Sequence, residues 1–154
     1  MTRSADDQGK RRGSSALPKR FHTKVSIRWS DIDAFQHVNH ARMVALLEEA
    51  RNLWLFEDNR PTAVLRMGCA LTELRVHYTS QLRHEDTPLD IAMWVEQLRA
   101  IDFTIGFEVH GAGAELGSPP AVTASTRMAA FDMMGQRARR LTDDERAYLS
   151  EWME

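Results

Sequence analysis

The fold is decided by residues 29–40, which read WSDIDAFQHVNH. This stretch joins a strand-like run to a helix-like run and carries the carboxylates of Asp31 and Asp33. It ends at Asn39, a residue type that is favoured as a helix N-cap. Asp33 is therefore expected just ahead of a helix N-terminus, where backbone N–H groups have no intrahelical partners.

This arrangement suits acyl-transfer chemistry. A carboxylate attacks a carbonyl carbon or activates water, and N–H groups hold the oxygen on which negative charge develops. Acidic residues ahead of a helix are also common because they cap the helix and complement its dipole. Local chemistry alone leaves both interpretations open.

The run before this junction, residues 21–29, alternates in polarity as a strand with one buried face does. Its apolar side consists of Phe21, Thr23, Val25, Ile27 and Trp29. Residues 39–56, after the junction, lack this alternation, and their apolar residues recur at helical spacing. They are Met43, Leu46, Leu47, Ala50 and Trp54, extended by Val44, Ala45, Leu53 and Leu55. A helix that is apolar on so many sides is expected to be largely buried, with other elements wrapped around it.

The remaining sequence predicts strands at residues 69–78, 89–98, 102–110 and 121–132, with a loop rich in glycine and proline at 111–120. A capping-box spacing from Thr142 to Glu145 predicts a short terminal helix. Short connections between successive strands favour antiparallel neighbours. The predicted fold class is α+β, with about five mostly antiparallel strands wrapped around one long central helix.

Composition limits the classes of function. The chain has 154 residues, 43% of them hydrophobic, and a net charge of −2, so we expect neither a nucleic-acid nor a membrane partner. Cys69 is the single cysteine, which excludes a disulfide within the chain. No run approaches the ~20 apolar residues of a transmembrane helix, and no secretory signal is visible. These features predict a soluble cytoplasmic protein.

The N-terminal residues 1–19 are polar and are expected to form a disordered tail, although a basic arm that binds phosphates is the alternative. Residues 20–154 are expected to form a single domain.

The run SDIDAFQHVNH (residues 30–40), followed by LLEEAR (residues 46–51), resembles a family signature. The signature is D-x-D-x-x-x-H-V-N-N followed by E-E-A-R. It belongs to hotdog-fold acyl-CoA thioesterases of the 4-hydroxybenzoyl-CoA thioesterase type, and the long-chain acyl-CoA thioesterase branch is the most similar. The resemblance extends over roughly residues 25–149. It implies a hotdog fold and hydrolysis of an acyl-CoA to a free acid and coenzyme A, with water as co-substrate and no cofactor.

The resemblance also implies roles for individual residues. Asp33 matches the catalytic carboxylate, which is either a nucleophile or a general base. The backbone N–H near His40 matches the donor that polarises the thioester carbonyl, and Asn39 fixes the entry of the helix. His37 matches the histidine of the motif, as a loop-packing residue or a substrate contact. Thr104 lies on a predicted strand from which it could reach the substrate.

The sequence departs from the signature at two positions, His40 in place of the second asparagine and Met43 in place of an aromatic residue. Acyl specificity is therefore not carried over. His37 and His40 have a spacing that metal ligands use, but no third ligand is visible and we expect no metal. Cys69 is expected to be a buried, inert thiol.

Two other functions remain open, namely a hydratase or dehydratase acting on acyl thioesters through His37, and a non-catalytic acyl-CoA-binding domain. Five arginines are unranked candidates for the phosphates of coenzyme A: Arg75, Arg83, Arg99, Arg139 and Arg140. A lone sheet leaves a long edge that a second subunit would cover, so we expect a homodimer or homotetramer with active sites at the interface.

Overall fold

The computed structural model describes residues 18–154. Two helices and six strands follow one another in the order β1 (Phe21–Val25), α1 (His40–Leu55), β2 (Cys69–Tyr78), β3 (Leu89–Leu98), β4 (Asp102–His110), β5 (Val122–Asp132), β6 (Arg137–Ala138) and α2 (Asp143–Ser150). Short 3-10 turns lie at Trp29–Asp31, Ala63–Met67 and His84–Asp86. The predicted disordered tail, residues 1–19, lies outside the described residues except for its last two.

The strands form one antiparallel sheet with the order β1-β3-β4-β5-β2, and β6 pairs with β5. This sheet curls around α1, which confirms the predicted α+β arrangement. Strand β6 was not predicted, because it is only two residues long and returns directly from the turn after β5. Strand β2 lies at one edge of the sheet, so one side of its backbone has no neighbouring strand among residues 18–154.

The core lies between the sheet and α1. Side chains at alternate positions of β4 point toward α1 and are fully or almost fully buried: Phe103, Ile105, Phe107 and Val109. Trp54 of α1 stacks on Phe21 at 5.8 Å and meets the edge of Trp152 at 5.4 Å. Each fully buried large apolar side chain contributes about 2 kcal/mol through removal from water. The packing of these side chains therefore fixes the position of α1 on the sheet.

Two predictions of burial were wrong. Trp29 was placed on the buried side of the first strand, but it is 75% exposed and lies in a 3-10 turn. The strand stops at Val25, opposite Leu89 where β3 begins, and the Asp31 carboxylate then accepts the N–H of Arg28 at 2.8 Å, which closes a turn around Trp29. Helix α1 is buried only on the side that faces the sheet, since Leu53 on its other side is 43% exposed.

Candidate active site

The loop between β1 and α1 is a tight, internally bonded turn. The N–H of Asp33 donates to the carbonyl of His37 at 2.9 Å, and the N–H of Gln36 donates to the carbonyl of Asp33 at 3.0 Å. Gln36 has a φ of 62°, the left-handed conformation that such a turn requires. The N–H of Asn39 donates to the carbonyl of Asp31 at 2.8 Å, which ties the end of the loop to its beginning. The backbone around Asp33 is therefore fixed on both sides.

The two oxygens of the Asp33 carboxylate have different surroundings. Oδ1 accepts the N–H of Phe35 at 2.9 Å and the N–H of His37 at 3.3 Å. Oδ2 has no hydrogen-bond partner among residues 18–154. The loop thus orients the carboxylate through one oxygen and leaves the lone pairs of the other oxygen available to a proton or an electrophile.

Helix α1 begins directly after this loop. Asn39 is its N-cap, as predicted, and its Oδ1 accepts the N–H of Ala41 at 2.9 Å. The N–H of Met43 makes the first helical hydrogen bond, to the carbonyl of Asn39 at 2.9 Å. The N–H groups of His40 and Arg42 have no acceptor within residues 18–154. Two unbonded donors therefore remain at the positive end of the helix dipole, where they could stabilise a negatively charged oxygen.

Tyr78, at the end of β2, also contacts the start of α1. Its hydroxyl donates to the carbonyl of His40 at 3.1 Å, so it joins the edge strand to the first helical residue. Burial raises the pKa of Tyr78, which keeps this hydroxyl protonated as a donor at neutral pH. Sequence reasoning missed Tyr78, because an alternating strand gives no signal that its last side chain reaches a helix terminus.

Four of the five predicted site residues come together at this junction: Asp33, His37, Asn39 and His40. His37 takes part through its backbone, and its ring makes no hydrogen bond with any described residue. Thr104 does not join them within one chain. It lies on β4 between the buried Phe103 and Ile105, so it faces the side of the sheet away from α1.

A metal site and a nucleophilic cysteine would be the alternatives to Asp33 among the described residues. No group of three histidine, cysteine, aspartate or glutamate side chains within residues 18–154 is arranged to hold a metal ion. Burial raises the pKa of Cys69 to about 11, so its thiol is protonated at neutral pH and is a poor nucleophile.

No helix in the described part of the chain is long and apolar enough to cross a lipid bilayer.

The sequence profile of the Thioesterase-like superfamily matches residues 27–152. No curated protein matches the sequence. Among solved structures, a predicted thioesterase from Bacillus stearothermophilus superposes with a TM-score of 0.75 at 20% identity, over 88% of this chain and 98% of that one. A thioesterase from Thermus thermophilus, complexed with coenzyme A and Zn, superposes with a TM-score of 0.68 at 19% identity, over 83% of this chain and 95% of that one.

A third similar structure is a 1,4-dihydroxy-2-naphthoyl-CoA thioesterase from Synechocystis. It superposes with a TM-score of 0.71 at 15% identity and covers 86% of this chain and 96% of that one. At these identities the superpositions establish the fold alone. They confirm the predicted hotdog fold of a curled antiparallel sheet around a central helix.

Proposed function

The chain belongs to the Thioesterase-like superfamily and is a thioester hydrolase, and we propose that its substrate is an acyl-CoA and its catalytic carboxylate is Asp33. The observation that carries this proposal is the Asp33 carboxylate, anchored through Oδ1 and free at Oδ2, in the loop that leads directly into α1, whose first N–H, that of His40, is unbonded. The coenzyme A in the similar Thermus thermophilus enzyme supports the choice of an acyl-CoA. The motif of residues 30–51 supports the 4-hydroxybenzoyl-CoA thioesterase type and its long-chain branch. Residues 20–154 act as one catalytic domain in this proposal.

The proposed reaction places the thioester carbonyl oxygen at the start of α1. The N–H of His40 would donate to that oxygen as it becomes negative during attack, which lowers the barrier because the donor is already held in place. Asn39 would keep this donor in position by capping the helix. His40 replaces the second asparagine of the signature, but a backbone donor does not depend on the side chain.

Asp33 would act on the carbonyl carbon in one of two ways. As a general base, its Oδ2 would take a proton from water, whose oxygen attacks the carbonyl carbon. As a nucleophile, Oδ2 would attack the carbonyl carbon itself and form an anhydride that water then hydrolyses. In both routes the carbon–sulfur bond breaks, coenzyme A leaves as the thiol and the acyl group leaves as a carboxylic acid.

We place the active site at the interface of a homodimer or homotetramer. Strand β2 has ten residues and a free edge within the described part of the chain, and it carries the half-exposed side chains of Leu71 and Tyr78. An unpaired strand of this length favours pairing with a second copy. Because Tyr78 also contacts His40, pairing along β2 would bring a second chain beside the start of α1. Light scattering at assay concentrations tests this, and a fully active monomer would contradict it.

The function is tested by measuring thiol release from a panel of short, long and aromatic acyl-CoAs. We expect release of free coenzyme A together with the matching acid. Formation of a 3-hydroxyacyl product without thiol release would support a hydratase instead. Saturable binding of the acyl-CoAs without any turnover would support a non-catalytic binding domain.

A further inference from the structure

An aromatic platform stands at the surface beside the Asp33 loop. The indole of Trp29 stacks face to face on the imidazole of His84, with ring centroids 3.7 Å apart and planes within 6°. Trp29 is nevertheless 75% exposed, so the face of the indole opposite His84 is open to solvent. An indole held flat by a stacked partner offers a ready surface to a second planar ring.

Backbone hydrogen bonds attach this platform to the candidate active site. Trp29 lies four residues before Asp33, so an extended chain would separate them by at most about 14 Å. On the other side, the carbonyl of Leu82 accepts the N–H of Val38 at 2.7 Å. This bond fixes the segment that carries His84 against the loop that carries Asp33. A ligand with a flexible arm could therefore contact the platform while its reactive end reaches the carboxylate.

Ion pairing and position in the chain together single out one of the five candidate arginines for phosphate binding. Arg75, Arg99 and Arg139 are each paired with a carboxylate, at 2.7, 2.9 and 2.8 Å respectively. Arg83 and Arg140 have no carboxylate partner among residues 18–154. Arg83 directly precedes His84 and is exposed, whereas Arg140 follows β6 on a segment bonded to Ala100 through Leu141. Of these two unpaired arginines, Arg83 is therefore the one that adjoins the platform in sequence.

We infer that Trp29, His84 and Arg83 form a subsite for the nucleotide of coenzyme A, with the adenine stacked on Trp29 and a phosphate paired with Arg83. This inference rests on the proposed function. It deepens that function by naming the residues that would bind the nucleotide, the part of coenzyme A that a thioester on a carrier protein lacks. A stacked base and a charge-assisted phosphate contact are both strong enough to be measured by substitution.

The test compares kcat/KM for an acyl-CoA and for the same acyl group on pantetheine, which has no nucleotide. We expect the wild type to prefer the acyl-CoA by at least about tenfold. Trp29→Ala should reduce this ratio about tenfold, and Trp29→Phe should restore most of it. Arg83→Gln should also reduce the ratio and weaken the dependence of KM on salt. The matched control is Arg140→Gln, which removes another exposed, unpaired charge and should leave both values unchanged.

The outcomes separate this inference from the proposed function. If the wild type hydrolyses neither substrate, the proposed function fails. If it hydrolyses both equally well, the proposed function stands and the subsite is refuted. A preference for the acyl-CoA that persists unchanged in Trp29→Ala and Arg83→Gln would also refute the subsite. Because Trp29 is mostly exposed, its variants should fold, and circular dichroism checks this directly.

Discussion

Removal of the cap on α1 separates the helix's contribution to stability from its contribution to catalysis. In Asn39→Ala, the N–H of Ala41 loses its acceptor at 2.9 Å and the first turn of α1 is free to fray. Loss of an N-cap costs about 1 kcal/mol of unfolding free energy. For a chain of 154 residues this corresponds to a fall in Tm of about 3 °C. Because the donor at His40 sits in this turn, kcat should fall by at least about tenfold.

The matched control is Thr142→Ala. Thr142 is the N-cap of α2, and its hydroxyl oxygen accepts the N–H of Glu145 at 3.2 Å, in a helix that contributes nothing to the Asp33 loop. Urea denaturation should show similar losses of stability in the two variants, while thiol release should slow only in Asn39→Ala. Asn39→Ser keeps an acceptor oxygen and should recover most of both losses. An Asn39→Ala variant that is destabilised but keeps its full kcat would refute the role assigned to the start of α1.

Two further predictions concern the loop and the terminal helix. Gln36 has a φ of 62°, which a β-branched residue adopts poorly, so Gln36→Val should lower the unfolding free energy by about 1 kcal/mol whereas Gln36→Gly should not. Equal stability of these two variants in urea denaturation would contradict the left-handed turn. Glu145 is fully buried and accepts two hydrogen bonds from Arg139, at 2.8 and 2.9 Å. Burial alone would raise the pKa of Glu145, but the hydrogen bonds from Arg139 and Thr142 outweigh it and lower the pKa. A lowered folded-state pKa stabilises the protein above the ordinary glutamate pKa, and this stabilisation is lost as the pH falls through the folded value. Glu145→Gln should therefore cost about 2 kcal/mol at pH 7, and the difference from wild type should shrink below about pH 4.3. A difference that is constant from pH 7 to pH 3 would show that the charge on Glu145 is not involved.

Much of the fold follows from local patterns in the sequence. The alternation from Phe103 to Val109 correctly predicted the buried face of β4, because a strand with one covered face repeats every two residues. The spacing of Met43, Leu46, Leu47 and Trp54 correctly predicted the side of α1 that faces the sheet. Asn39 correctly predicted the start of α1, because an N-cap side chain bonds to backbone N–H groups in the first turn of its own helix.

The errors come from interactions that the sequence pattern does not contain. The alternation continues through Trp29, but the Asp31 carboxylate turns the chain first, so Trp29 points to solvent. The stack of Trp29 on His84 joins residues that are far apart in sequence, and no local signal reports it. Thr104 stays a prediction, because within one chain it lies on the face of the sheet away from α1 and only a second copy could bring it to the site.

The proposed role of Asp33 is consistent with its position, since sequence and geometry both place a carboxylate beside the start of α1. Within the described part of one chain, however, the predicted site residues alone do not enclose a pocket for an acyl group. In the proposed dimer, a second copy along β2 would supply the missing wall, and substrate preference would then depend on both chains.

The most direct test of the central claim is the rate of thiol release by Asp33→Asn. This variant keeps an oxygen that can accept the N–H groups of Phe35 and His37, so the loop should stay folded. Asp58→Asn is the matched control, since Asp58 is an exposed carboxylate paired with Arg66. We predict that kcat falls by at least about 100-fold in Asp33→Asn and is unchanged in Asp58→Asn. A folded Asp33→Asn variant that releases thiol at the wild-type rate would contradict the assignment of Asp33 as the catalytic carboxylate.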